Sequence, residues 1–285
     1  MNHQNNRIGI KGRWISRKGV WKTIALASLF ISGLLRVSGA DVRKSKQTAC
    51  FWQRDPKADF DNEGRNHCAP VAISDGLVYL TTTRGFEDLV DSTDHEGQID
   101  LINELAEAMD TDPQEGTNPD KILTGLVSYV KERGYSFERL ELSTWRGVSS
   151  RNKKYLVGTK PNLNWLTAAA KDPDVVQIFN FGWYHKGSDG SYTRRSGHWV
   201  NVVGTGPQAL QFSVHNPMLQ PARQKTDTGI VLKRVDNNFV MASGNGKKTN
   251  MTGYYQAEGP GLPFNKKRVS AAVLDAVIVF KIKEE

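Results

Sequence analysis

The sequence predicts an α+β protein in which helices come first and antiparallel strands follow. Residues 69–83 and 118–133 have the apolar spacing of helices. Residues 175–181 and 192–204 have the pattern of strands, and the Gly-Ser-Asp-Gly run at 187–190 between them is typical of a hairpin turn. We therefore expect N-terminal helices packed on a C-terminal antiparallel β-sheet.

The first predicted helix, at 69–83, has apolar residues on more than one face, which indicates a central, buried helix. The third is bounded by Asn118 as its N-cap, by Pro119 at its first position and by Gly134 after its end. The helices are predicted at 69–83, 98–109, 118–133 and from Asn162 or Asn164 to Lys171.

The predicted strands follow, apart from one that precedes the fourth helix. Residues 243–252 are polar and are expected to form a loop between two of the strands. The strands are predicted at 136–142, 175–181, 192–204, 208–214, 229–235, 239–242 and 276–282.

Residues 1–40 are predicted to be an export signal. A cationic region ends at Lys22, an apolar run covers 24–35, and residues 38–40 are small, as signal cleavage requires. The apolar run is shorter than the roughly 20 residues of a membrane span, although an uncleaved amphipathic anchor is an alternative. Residues 16–22 resemble a twin-arginine motif with Lys in the second arginine place, so the export route stays open.

The net charge of +8 comes mostly from this leader. Residues 1–40 hold seven of the 38 basic residues and no acidic one, which leaves 31 basic against 30 acidic residues in the rest. A nearly neutral chain does not predict a nucleic-acid partner. We expect a signal peptide at 1–40, an N-terminal extension at 41–57 and one domain at 58–285. The protein would be periplasmic or secreted, without stable membrane insertion after cleavage.

The two cysteines, Cys50 and Cys68, allow two interpretations. A pair of cysteines in an exported protein suggests a disulfide. However, a bridge would close only a short loop around one helix start. Cys68 lies at the first turn of the helix predicted over 69–83, where the positive end of the helix dipole favours a thiolate.

Two later residues complete a set that thiol chemistry needs. A nucleophilic thiol requires a base, a group that orients the base, and donors for the oxyanion. His198 lies in a predicted strand after Gly197, which leaves room for a substrate backbone. Asn216 follows the next strand, so we expect its amide oxygen to reach the far nitrogen of His198.

The order Cys68, His198, Asn216 resembles that of papain-like cysteine peptidases. The segments Asn66–Ala72 and His198–Gly204 are similar to the nucleophile and histidine motifs of the bacterial double-glycine (bacteriocin-leader) peptidase branch. Asn216 and Pro217 take the place of its Asp-Pro or Asn-Pro. This resemblance implies a papain-like fold, with the nucleophile on a central helix. It also implies hydrolysis of a peptide or protein substrate.

The resemblance also implies an oxyanion donor six residues before the nucleophile, where that family has Gln. Here the position holds Asn62, a shorter amide that can still donate. Gln53 is the alternative donor if the intervening loop folds back.

We therefore predict an exported thiol peptidase with catalytic residues Cys68, His198, Asn216 and Asn62, and with no cofactor. One alternative is a catalytically silent binding module on the same scaffold, with a Cys50–Cys68 disulfide. Another is a thiol acyltransferase or deamidase. A metal site is not predicted, because the metal-ligand spacings of paired Cys or His residues are absent from the sequence, and because the calcium-loop-like run that begins at Asp59 lacks its closing Glu.

Overall fold

The computed structural model describes residues 44–226, 228–236, 238–242 and 248–285. The predicted signal peptide at 1–40 lies outside these residues. The helices are α1 (Cys68–Arg84), α2 (His95–Ala108), α3 (Pro119–Glu132), α4 (Leu163–Lys171) and α5 (Pro221–Thr226). Short 3-10 helices lie at Asp61–Gly64, Glu87–Leu89 and Lys153–Tyr155. The strands are β1 (Tyr135–Thr144), β2 (Leu156–Gly158), β3 (Val176–Lys186), β4 (Tyr192–Thr205), β5 (Gln211–His215), β6 (Gly229–Arg234), β7 (Val240–Ala242), β8 (Lys248–Asn250), β9 (Tyr255–Glu258) and β10 (Ala271–Glu284).

Six of the strands close into an antiparallel barrel. Their order around the barrel is β3-β4-β5-β6-β9-β10, and β10 pairs with β3 to complete the circle. Strand β1 pairs with β10 beyond the contact of β10 with β9, and β7 pairs with the start of β4. Apolar side chains from all six strands fill the interior, together with one face of α4. Its largest members include Phe179, Phe181 and Phe212, whose rings pack edge to face.

The predicted fold class, a papain-like α+β fold with helices packed on an antiparallel sheet, is wrong, because the strands form this closed barrel. Closure depends on β9, a four-residue strand that the sequence did not predict. It pairs along β6 and meets β10 where Gln256 lies opposite Val273. Strand β10 is also longer than the predicted 276–282, which lets it contact β1, β3 and β9 at once.

The individual helices agree well with the sequence predictions. Helix α3 begins at Pro119 with the Asn118 side chain accepting from the Lys121 backbone N–H, and Gly134 beyond its end has a positive φ. The Asn162 side chain caps α4 in the same way, through the Trp165 N–H. Of the described residues, no helix has the length and apolar character needed to cross a membrane.

Helix α1 packs on the outer face of β3 and β4. All its residues from Cys68 to Leu80 are buried, as the two-faced apolar pattern predicts. The helix comes closest at Gly76, where an added Cβ would lie 2.5 Å from a methyl group of Val176 on β3. Helix α2 packs against α1, and α3 packs against α2 and β1. The absence of a side chain at Gly76 thus allows α1 to pack this closely on β3.

Replacing Gly76 with alanine is expected to destabilise the fold. Overpacking a core costs about 1–3 kcal/mol, and the gain in helix propensity offsets only about 1 kcal/mol of this. We expect a net loss of up to about 2 kcal/mol in the free energy of unfolding, measured by urea denaturation. Val176→Ala removes the opposing methyl groups, so the double variant Gly76→Ala/Val176→Ala should lose less than the sum of the two single variants. Strict additivity would show that this contact does not set the spacing.

Candidate active site

Cys68 and His198 line the same cavity, which has a volume of about 590 Å³. One wall comes from the start of α1 and from the loop before α3, and the other from the barrel strands β3 and β4. The backbone N–H groups of Trp199, the residue after His198, and of Cys68 and Ala69 lie close enough to the Cys68 thiol to lower its pKa. The start of α1 therefore holds the thiol directly against the strand that carries His198.

Asn216 fixes the orientation of the His198 ring, as the sequence predicted. The Nε2 atom of His198 lies 2.7 Å from Oδ1 of Asn216. Two further hydrogen bonds set the orientation of the Asn216 amide. Its Nδ2 donates to the Gly261 carbonyl, and its Oδ1 accepts from the Met218 N–H. An amide oxygen can only accept, so Nε2 carries the proton and Nδ1 is left with a lone pair. Nδ1 of neutral His198 is therefore available as a base.

Burial keeps both reactive groups uncharged at neutral pH. It raises the pKa of the Cys68 thiol to about 11, against the backbone hydrogen bonds that favour the thiolate. It lowers the pKa of His198 to about 4, although the hydrogen bond to Asn216 favours the protonated ring. The resting pair is thus a thiol and an imidazole, so a nucleophilic role for Cys68 would require a proton to pass from the thiol to the ring.

The two predicted side-chain oxyanion donors are both engaged elsewhere. The Asn62 amide donates to the Pro113 carbonyl, and Asn62 is not part of the cavity wall. The loop does fold back at Gln53, which reaches the segment before Cys68. Its amide, however, donates to the Gly64 and Arg65 carbonyls. This leaves the backbone N–H of Cys68, at the open end of α1, as the oxyanion donor closest to the thiol.

An ionic network on the barrel wall was not predicted from the sequence. Asp275, fully buried on β10, accepts from Nε of Arg194, from the Tyr184 hydroxyl and from the Trp145 indole. Arg194 lines the cavity, as does Arg146. A single acidic residue within the apolar run Ala271–Phe280 was the signal that could have revealed it, because a buried carboxylate needs a cationic partner.

The second cysteine belongs to a different environment. Sγ of Cys50 lies 3.2 Å from Nδ1 of His215, whose ring nitrogen also contacts the Ala49 carbonyl. Both Cys50 and Cys68 are free thiols. Among the residues that the structure describes, no group of three or more His, Cys, Asp or Glu side chains is arranged to hold a metal ion.

Comparison of the chain with protein-family models gives no match, and neither does comparison with curated proteins. The site must therefore be interpreted from its own geometry.

The depressed pKa of His198 predicts a loss of stability in acid. The unfolded chain protonates this histidine below about pH 6.5, whereas the folded protein does so only below about pH 4. In this interval the unfolded state binds more protons, so the free energy of unfolding falls as the pH falls. The contribution is on the order of 3 kcal/mol, at about 1.4 kcal/mol per pKa unit.

Urea denaturation of the wild type and of His198→Gln at several pH values tests this. Glutamine keeps a donor for Asn216 but does not titrate. The wild type should lose more stability between pH 6.5 and pH 4 than the variant, since the other titrating groups are common to both. Equal losses would contradict the assigned protonation state.

Proposed function

We propose that the protein is a thiol hydrolase that cleaves peptide bonds through an acyl-enzyme on Cys68. One observation carries the proposal. The thiol at the start of α1 and an imidazole oriented by an amide oxygen share one cavity. A nucleophile, a base and a group that orients the base form the minimal set for nucleophilic acyl transfer. Their order along the chain, Cys68, His198, Asn216, also supports the proposal, because it is the order of the peptidases that the sequence resembles.

In the first half-reaction, Sγ of Cys68 attacks the scissile carbonyl carbon while its proton moves to Nδ1 of His198. The carbonyl oxygen becomes an oxyanion beside the Cys68 backbone N–H. The protonated ring is stabilised by the amide oxygen of Asn216. His198 then gives the proton to the leaving amine as the C–N bond breaks, which leaves a thioester on Cys68.

In the second half-reaction a water molecule attacks the thioester, with His198 again accepting the proton. The proton returns to the Cys68 sulfur as the acid product leaves. Acyl transfer or deamidation would use the same thioester with another acceptor or another leaving group. A silent binding module with a Cys50–Cys68 disulfide is the remaining alternative, and the free thiols and their different neighbours disfavour it. We further propose that the protein acts after export, in the periplasm or outside the cell, as the leader predicts.

Substitution of the proposed nucleophile and base is expected to abolish hydrolysis. With a peptide library as substrate and mass spectrometry as readout, Cys68→Ala and His198→Ala should each lower the rate by at least about 100-fold, since general-base catalysis alone contributes about 10²–10⁴-fold. Asn216→Ala should retain partial activity, because it leaves the base in place but unoriented. Cys50→Ala is the matched control and should be fully active. Unchanged hydrolysis in Cys68→Ala or in His198→Ala would refute the mechanism.

Labelling by a peptide-based thiol electrophile provides a test that needs no turnover. Both thiols are neutral at pH 7, because burial raises the pKa of Cys68 to about 11 and, with the charge of Asp75, that of Cys50 to about 12. Cys68 lines the cavity that would admit the peptide, and Cys50 does not, so Cys68 should be modified much faster than Cys50. The rate at Cys68 should fall by about 100-fold in His198→Ala. Equal labelling of the two cysteines would count against Cys68 as the nucleophile.

A further inference from the structure

A pair of glycines opens a slot in the barrel wall next to His198. Gly182 on β3 lies opposite Gly197 on β4. An added Cβ on Gly182 would lie 2.1 Å from Oδ2 of Asp275, and one on Gly197 would lie 2.3 Å from Nη2 of Arg194. The ion pair between Arg194 and Asp275 thus occupies the space that two side chains would fill. It holds the end of the Arg194 side chain beside Gly197, the residue before His198.

The side-chain oxygens of Asp275 accept hydrogen bonds from three residues of this network, and Arg146 is not among them. Oδ1 of Asp275 accepts from the Tyr184 hydroxyl at 2.8 Å and from the Trp145 indole at 3.2 Å, while its Oδ2 accepts from Nε of Arg194. Trp145 is also the residue before Arg146. Its bond to Asp275 therefore fixes the backbone from which Arg146 reaches the cavity.

Arg146 adds a second positive charge at this wall. Among the described residues, its guanidinium has no carboxylate within 4 Å. It lies close enough to Arg194 for repulsion to matter, and burial together with this repulsion lowers its pKa. Two half-buried guanidinium groups thus share one buried carboxylate. A protein would not hold two such charges together in a cavity without an energetic cost, which an anionic ligand would relieve.

We propose that Arg146 and Arg194 form a subsite that binds a carboxylate of the peptide substrate. Guanidinium groups bind carboxylates through paired, charge-assisted N–H···O bonds, which suits a planar anion in a partly buried site. The carboxylate comes from an acidic side chain or from a free C-terminus, since both present the same group. The role of this subsite in catalysis rests on the proposed function. The substrate class that it implies is peptides that carry such a carboxylate.

Binding to Cys68→Ala tests the subsite without any chemistry. Trp183 and Trp199 line the cavity, so their fluorescence reports occupancy. The probes are short blocked alanine peptides with one central Glu or Gln, and the same peptides with a free or an amidated C-terminus. The Glu peptide, the free-acid peptide or both should bind about tenfold more tightly than the uncharged counterpart. The arm that shows this preference identifies the source of the carboxylate.

The same titrations with Cys68→Ala/Arg146→Gln should show no preference for the charged peptide. Cys68→Ala/Arg151→Gln is the matched control, because Arg151 is an exposed arginine of the same β1–β2 connection and is not part of the cavity wall. It should keep the preference. If the Arg146→Gln protein fails to fold, the preference of Cys68→Ala should still weaken as the ionic strength rises.

The outcomes separate this inference from the proposed function. Equal binding of charged and uncharged peptides, or an unchanged preference in the Arg146→Gln protein, would overturn the subsite. A preference that disappears on Arg146→Gln substitution, in a protein whose native Cys68 form hydrolyses none of the peptides, would keep the subsite and reject the hydrolase.

Discussion

The close contact between α1 and the barrel at Gly76 is the constraint on which the site depends. At this point the helix lies so close to β3 that a side chain at position 76 would overlap Val176. Its first residue is then fixed two turns away, where the Cys68 thiol meets the Trp199 N–H on β4. The Trp199 indole holds β4 to the loop before α3, since it donates to the Thr117 carbonyl in that loop. Rigid packing, rather than attraction between charges, therefore brings the thiol to the histidine strand.

The burial that provides this rigidity also sets the chemistry. A helix start would favour a thiolate in water, but burial outweighs the helix dipole and the backbone donors at Cys68, so the thiol stays neutral. The same burial keeps His198 neutral and able to accept a proton. A neutral pair costs less in a low-dielectric cavity than an ion pair. In the proposed mechanism, charge would develop only during attack, when the Asn216 oxygen and the backbone N–H groups are already in place to stabilise it.

Local signals predicted the parts of the structure that depend on local physics. The caps Asn118 and Asn162 defined helix starts, and the two-faced apolar pattern of 69–83 gave the buried helix. The contact between His198 and Asn216 also followed from sequence, because one hairpin joins their strands. Barrel closure did not, since β9 has only four residues and its partners lie on β6 and β10. The sequence also did not predict that Asn62 fails to reach the cavity, because its partner Pro113 is 51 residues away in the chain.

The closed barrel explains why the network of Arg194 and Asp275 could not be predicted from the sequence, although it lies beside His198. Arg194 and Asp275 are 81 residues apart in the chain and belong to β4 and β10, which do not pair with each other. Strand β3 lies between them and pairs with both. Only because β3 carries Gly182 at this level, opposite Gly197, can a side chain from each outer strand cross over it and meet. In the register of β3 and β4, His198 lies opposite Phe181 and Gly197 lies opposite Gly182. The same register places the Arg194 guanidinium beside Gly197, the residue before His198. The geometry of the sheet therefore keeps the imidazole and the positive charge close together.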